Sequence, residues 1–487
     1  MTKNKMIRPF GMRDKLGYMF GDFGNDFTFI LSTMLLTKFY TDVMGVSAAI
    51  VGTIMMIARF VDAITDVAMG RICDRSKTTK NGKFKPWILR MCIPVAAASF
   101  LMYLSPLAGL STGVKTAYLA ITYILWGSFF YTSINIPYGS MASAISSDPG
   151  DRQSLSTFRT IGGMLAGMVI GIGLPIIAYK EIPNTAPGAE PGSVLSVLDG
   201  GKTMIAAGIF SILAIVCYLI CYKLITERVT IDTLEKKKGP TVGQMLKSIF
   251  TNRSLLSIIV ASVVMLLAQL TMQNMAAYIF PDYYRNATAQ SLSTILMMVG
   301  MIVAAVIAKP VASKFGKAEI SVVSNLFAAV ICVVTWVIRP QNVWVFCALQ
   351  MLNWLGLGVF SMVSWALITD VIDASEIKNG VREDRTVYSI YSFARKLGQA
   401  LAAGVSGWLL TAIGYSSDLA QQQLPQPQPV LEGIFNISTL VPAVGFLALA
   451  LVLWFWYPLK KKVVENNVAF LKEKHEHNQE TSVDENA

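Results

Sequence analysis

The chain has 487 residues, of which 54% are hydrophobic and only 15% charged, and its mean hydropathy is +0.52. Soluble domains are less apolar and carry about 25% charged residues, so these proportions point to a polytopic membrane protein. The net charge of +11 does not indicate nucleic-acid binding, because the Lys and Arg residues fall mainly in short loops and tails between apolar runs.

About 20 apolar residues cross a bilayer as a helix. Twelve such segments are read along the chain, at 17–41, 47–70, 87–106, 116–145, 158–179, 202–225, 254–280, 291–311, 319–338, 343–369, 387–413 and 434–457. The N-terminal tail starts without a cleavable signal pattern and holds Lys3, Lys5, Arg8, Arg13 and Lys15. The loop 71–86, the segment 226–253 and the tail after Pro458 are also basic, whereas loops 107–115, 180–201, 281–290, 339–342 and 414–433 hold few positive charges. The positive-inside rule then places both termini and the central loop in the cytoplasm. The last twenty or so residues are polar and read as disordered.

The two halves echo each other. Asp151 to Arg159 and Asp384 to Arg395 both open a span after a charged loop, and basic loops follow spans 2 and 8. A six-plus-six arrangement with a basic linker is the pattern of major-facilitator transporters, whose site lies between halves near the midplane. The expected architecture is all-α, with twelve transmembrane helices in two six-helix bundles. Residues 1–225 form the first bundle, 226–253 a cytoplasmic linker, 254–457 the second bundle and 458–487 a cytoplasmic tail.

Asp62 and Asp66 are the most telling residues. They lie four apart within the apolar run Ile50 to Gly70, so both carboxylates share one helix face, with Arg59 nearly on it. Charge at membrane depth costs at least about 2–3 kcal/mol per group and marks an ion, proton or substrate path. A purely structural ion pair is the alternative, but one acid would satisfy Arg59. Sodium takes oxygen ligands, which Asp62, Asp66 and the hydroxyls of Thr65 and Thr132 can supply. A proton carried by one of the carboxylates uses the same residues. Asp22, Asn25 and Asp26 lie on span 1, Arg159 starts span 5, and Arg395 and Lys396 lie within span 11. Acids on spans 1 and 2 thus complement bases on spans 5 and 11.

Paired hydrogen bonds from carboxylate and guanidinium suit a sugar-like ligand. Trp126, Tyr131 and Tyr138 offer aromatic faces, although most aromatic residues in spans serve packing. Gly163, Gly167 and Gly171, four apart, make a close-packing face.

Catalytic signals are absent. Both His residues, His475 and His477, fall in the tail, and Gly201-Lys202-Thr203 lacks the first glycine of a phosphate loop. The six Cys residues form no CxxC or Cys/His cluster, so neither disulfides nor zinc are suggested. The reading is not an enzyme, and no cofactor is expected beyond a coupling ion, H+ or Na+.

The stretches Ala58 to Gly70, Asn81 to Leu89 and Asn135 to Gly139 resemble the glycoside–pentoside–hexuronide:cation symporters. Gly380 to Ala400 is similar to the glucuronide and xyloside side of that family. The resemblance covers all twelve spans and implies uptake of a glycoside with a cation. It matches Asp62, Asp66 and Thr132 to the cation site, and Asp26, Arg159 and Lys396 to the sugar site. Arg59 matches the arginine beside the first site aspartate. Two departures stand out. Thr65 replaces an asparagine ligand of melibiose-type members, and Asn135 replaces their second sugar-binding aspartate. The site is therefore less acidic than a melibiose site, and a β-glycoside, pentoside or uronide fits better.

The expectation is a symporter that imports a small glycoside by alternating access, in contact with membrane lipids and functional as a monomer. Asp62, Asp66, Thr65 and Thr132 hold the cation. Asp26, Arg159, Asn135, Trp126, Lys396 and Asn25 hold the substrate, and Arg59 and Arg395 serve coupling. A carrier of another cargo such as a lysolipid, and a sugar sensor that does not transport, are the alternatives.

Overall fold

The computed structural model describes residues 8–186, 190–229, 252–379 and 384–484; most of the expected linker 226–253 lies outside them. The described chain is helical apart from one hairpin. The long helices are α1 (Met12–Asp42), α2 (Ala48–Arg75), α3 (Lys85–Leu101), α4 (Thr112–Ile145), α5 (Pro149–Ala178) and α6 (Gly200–Leu224). After the linker come α7 (Arg253–Tyr283), α8 (Ala289–Phe315), α9 (Lys317–Ile338), α10 (Val343–Asn379), α11 (Asp384–Ala412), α12 (Gln428–Trp456) and α13 (Lys461–Asp484). Ten of these are long and apolar enough to cross a membrane. The long α1 and α11 are outside that set, and both carry several charged residues.

Each expected span coincides with a helix, and local chemistry moves the ends. Arg159 does not start its helix. Asp148 caps α5, its carboxylate accepting from the Asp151 amide at 2.9 Å, and Pro149 occupies the first turn, so α5 begins well before Arg159. The expected disorder of the tail is overturned, since Lys461–Asp484 is helical. Its first turn is anchored: Glu319 accepts from the Lys461 amide at 2.9 Å, and the Lys461 ammonium donates to the Lys314 carbonyl at 2.9 Å. Lys461 and Glu465 add an i,i+4 pair at 3.7 Å.

The chain falls into two compact units. The first comprises residues 1–235, 273–295 and 403–435. In it α1 packs along α5 and α6, and α2 along α4. Small residues allow the close approach: a side chain at Gly162 would run into the Met19 backbone, and one at Gly21 into the Tyr138 ring. Between α5 and α6 the strands β1 (Tyr179–Pro183) and β2 (Val194–Leu198) pair antiparallel. Asp199 caps α6 by accepting from the Lys202 amide at 2.9 Å and pairs with Lys180 at 3.0 Å. The end of the bundle bearing this hairpin is called the hairpin end. At the opposite end Asp14 is fully buried, salt-bridged to Arg8 at 2.6 Å and Arg228 at 2.8 Å, and accepting from the Thr226 amide at 3.1 Å.

The second unit comprises residues 236–272, 296–402 and 436–487. Its core packs α9 on α10, with Phe360, Leu367, Phe446 and Leu453 fully buried. Lys317 pairs with the buried Asp370 at 2.5 Å. Arg395 and Lys396 belong to this unit, and the Arg395 guanidinium lies 6.0 Å from the ring centres of both Trp365 and Tyr391.

Candidate functional site: two facing pairs in the first unit

The helical repeat brings Asp62 and Asp66 to one face of α2, and that face meets α4. Ser128 donates to Asp62 Oδ1 at 2.5 Å, and Thr132 donates to Asp66 Oδ1 at 2.8 Å. The two hydroxyls are four residues apart, like the two acids, so two helices present matched ladders of oxygen atoms. The register depends on a π-helical turn, Leu125–Tyr131, in the middle of α4. Such turns commonly mark functional sites because they re-aim side chains within a helix. Gly127 lets the helices close, since a Cβ there would lie 3.3 Å from Asp62 Oδ1.

Arg59 Nη1 donates to Asp62 Oδ2 at 3.2 Å, and its guanidinium lies 5.0 Å from the Phe29 ring centre and 5.8 Å from that of Tyr123. The arginine thus offsets the charge of Asp62. Thr65 differs from expectation. Its hydroxyl faces its own helix, bonding the carbonyls of Val61 at 3.2 Å and Asp62 at 3.1 Å. Ser128 provides the hydroxyl on Asp62 instead.

A second polar group lies among α1, α4, α5 and α6. Arg159 Nε donates to Asp22 Oδ1 at 2.9 Å, and its guanidinium lies 5.4 Å from the Tyr138 ring centre. Asp26 sits one helical turn beyond Asp22 and faces Gly163, where a Cβ would be 2.6 Å from Asp26 Oδ2 and 3.3 Å from Asp22 Oδ2. Asn25 is buried, accepting from the Tyr218 hydroxyl at 2.8 Å and donating to Asn135 Oδ1 at 3.4 Å. Tyr138 stacks on Tyr18 with ring centres 4.6 Å apart. Trp126 is fully enclosed, with Tyr123 at 5.6 Å and Tyr131 at 5.4 Å between ring centres. A ring enclosed in this way presents no face to a glycoside, whereas Tyr131 in front of it is only partly buried.

A family model described as MFS/sugar transport protein matches residues 17–461. The chain belongs to that family. Among curated relatives, the transporter is 31% identical to an isoprimeverose transporter of Lactiplantibacillus pentosus, over 95% of this chain and 91% of that one. It is 30% identical to a glucuronide carrier protein homolog of Escherichia coli strain K12, covering 94% of each. It is also 30% identical to an uncharacterized symporter, YjmB, of Bacillus subtilis strain 168, covering 92% of each. Among solved structures, a D-xylose-proton symporter superimposes with a TM-score of 0.59 at 14% identity, over 92% of this chain and 96% of that one. The nucleoside transporter NupG gives 0.57 at 15% identity, over 90% and 99%. These likenesses show the fold, and the family places the chain among sugar-transporting, multi-pass membrane proteins.

The transporter's first unit holds one ionic cluster absent from the expected site. Lys38 on α1 is fully buried, with Asp42 at 2.7 Å, Asp282 at 2.6 Å and the Tyr415 hydroxyl at 3.0 Å. Tyr415 donates to Asp42 at 2.8 Å, and the Thr41 and Tyr278 hydroxyls are 3.2 Å apart. The cluster ties residues 278–282 and 415, from the second half of the sequence, to the hairpin end of α1. The signal that could have pointed to it is a lysine within the expected span 17–41, Lys38. Ser128 also escaped sequence reading, since it stands in an ordinary apolar run; Asp22 was read among the acids of span 1 but left out of the expected site, and it is the acid that Arg159 bonds.

Proposed function

We propose that this transporter imports a small glycoside, such as a glucuronide, a xyloside or a related sugar, coupled to H+ or Na+ by alternating access. The observation that carries the reading is the matched ladder, Asp62 with Ser128 and Asp66 with Thr132. It collects four oxygen-bearing side chains beside one guanidinium. Oxygen ligands of this kind suit a hard cation, and a carboxylate pair equally suits a proton.

In this reading Asp62, Asp66 and Thr132 bind the cation, Ser128 orients Asp62, and Thr65 joins only if its hydroxyl turns from its own backbone. Asp26, Arg159, Asn25 and Asn135 take the sugar hydroxyls, with Tyr131 as the aromatic face and Trp126 as its backing. Lys396 joins the sugar site, and Arg59 and Arg395 act in coupling, on the family resemblance. In this reading both termini lie on the cytoplasmic side of a bacterial inner membrane, as the positive-inside rule expects, and the hairpin end lies outside. Alternating access then requires the Lys38 cluster to break once per cycle. The printed names of the relatives, an isoprimeverose transporter and a glucuronide carrier homolog, support a glycoside cargo.

The test is a panel of glycosides, nucleosides and lysolipids offered to energised vesicles containing the purified protein, with and without sodium. Accumulation of one or more glycosides above the equilibrium level is expected. Accumulation confined to nucleosides or lysolipids contradicts the reading.

A further inference from the structure

A cleft opens beside the Lys38 cluster at the hairpin end, wholly within the first unit. Asp42, Asp282 and Tyr415 of the cluster form one wall, strand β2 and residues 420–426 form others, and Arg285, just past α7, completes the lining. The walls are tied down. Ser196 Oγ accepts from the Ala287 amide at 3.3 Å, which joins β2 to the turn that carries Arg285. Gln426 brackets Ser416, accepting from its amide at 2.9 Å and donating to its carbonyl at 2.8 Å.

The lining keeps three polar groups unused. Among the described residues, the side chains of Arg285 and Gln423 have no hydrogen-bond or ionic partner. Asp282 uses one carboxylate oxygen, Oδ2, for both Lys38 and Tyr415, and its Oδ1 is left open. Arg285 and Gln423 also stand in left-handed backbone, at φ 51° and 58°, which non-glycine residues keep only where their surroundings enforce it. They are two of the three such residues in the described chain, and both line this cleft. Two acids, Asp42 and Asp282, stand against two cations, Lys38 and Arg285, so the cleft has no net charge to draw in an ion. A free cation would meet the guanidinium, and a carboxylate would meet the acids. The edge of a neutral sugar ring suits both, because one hydroxyl donates to the open carboxylate oxygen while its neighbour accepts from the guanidinium or the Gln423 amide. The cavity measures about 40 Å³. One bound water needs about 10–15 Å³ on that measure, so the cleft holds the edge of a ring and leaves the rest of a glycoside outside.

We infer that this cleft is a docking site for the hydroxyl edge of a neutral glycoside, separate from the sugar site around Arg159 and placed against the Lys38 cluster. The binding rests on the cleft alone. Its role as the first stop of the cargo rests on the reading of this protein as a glycoside importer with the hairpin end outside. A sugar held there touches Asp282, the acid that joins Lys38 to the second half of the sequence, so the cargo waits at the contact that has to break for it to enter.

Two measurements separate the parts. All six cysteines are buried, so Leu424→Cys, at the exposed edge of the cleft, supplies a reactive thiol. Its reaction with a soluble maleimide in the purified protein is expected to slow about five-fold in saturating methyl β-D-xyloside, by mass action, and much less in methyl β-D-glucuronide or betaine at the same concentration. Arg285→Gly removes the guanidinium and suits the left-handed backbone. It is expected to abolish the protection while the labelling rate without sugar, which reports an intact fold, stays the same. Arg159→Lys, aimed at the other sugar site, is expected to leave the protection in place. No protection by the xyloside, protection that survives Arg285→Gly, protection lost in Arg159→Lys, or protection by the glucuronide alone each overturns the docking site. In vesicles, Arg285→Gly is expected to raise KM for xyloside uptake about five-fold and to lower the maximal rate less. An unchanged KM overturns the role in entry. Absence of glycoside uptake by the wild type would instead strike the importer reading, and the labelling would still decide the cleft.

Discussion

At the scale of single residues, a carboxylate at membrane depth needs partners that offset its charge. Asp62 is balanced by Arg59 and Ser128, and Asp66 takes a hydroxyl from Thr132. Replacing either acid by asparagine keeps the shape and removes the charge. Asp62→Asn and Asp66→Asn are each expected to lower uphill accumulation by at least about ten-fold while counterflow survives, because the proposed sugar contacts lie on other helices. The Arg159–Asp22 pair makes a different prediction. Arg159→Lys keeps the charge but loses the planar fork, so glycoside affinity is expected to fall about ten-fold, measured by equilibrium binding, with the maximal rate less affected. The acids of α2 were legible in the sequence because ionised groups in apolar runs are expensive and hence informative. Ser128 was not, since a serine in a membrane helix usually bonds its own backbone. Thr65 does so here, and only packing tells the two apart.

At the scale of elements, the twelve spans were legible, because runs of about 20 apolar residues have few other uses, whereas the polar tail helix Lys461–Asp484 was not. Boundaries were not, since caps such as Asp148 extend helices beyond the apolar run. The π-helical turn of α4 was invisible as well: Leu125 to Tyr131 is an ordinary apolar sequence. Its effect is testable. Deleting Phe129 or Phe130 shortens the turn by one residue and rotates Thr132 relative to Ser128 by about 100°. Coupled uptake is expected to vanish, while Gly127→Val, which crowds Asp62 without altering the register, is expected to reduce it partly. At the other end of the bundle Asp14 holds two arginines and an amide while fully buried. Asp14→Ala leaves those cations unpaired, and a loss of about 3–5 kcal/mol is expected to appear as a lower melting temperature in detergent.

At the scale of the whole molecule, the proposed alternating-access cycle has the hairpin end open and close. The buried cluster of Lys38, Asp42, Asp282 and Tyr415 is an ionic link there between residues from the two halves of the sequence. Lys38→Met removes its only cation and leaves two acids facing each other, so opening at this end is expected to become easier. Thr294, buried against Gly171, provides the reporter: a cysteine placed there is expected to react with a soluble maleimide several-fold faster in the Lys38→Met background. The family and its fold were readable from composition, charge asymmetry and the Asp62–Asp66 motif. This cluster was not, because it joins residues more than 240 positions apart in sequence. The coupling claim is tested most directly by adding a transported glycoside to vesicles, without any imposed gradient, and recording cation entry. Wild-type protein should take up H+ or Na+ together with the sugar, and Asp62→Asn should take up sugar with no cation. Equal cation entry in both proteins would contradict the account.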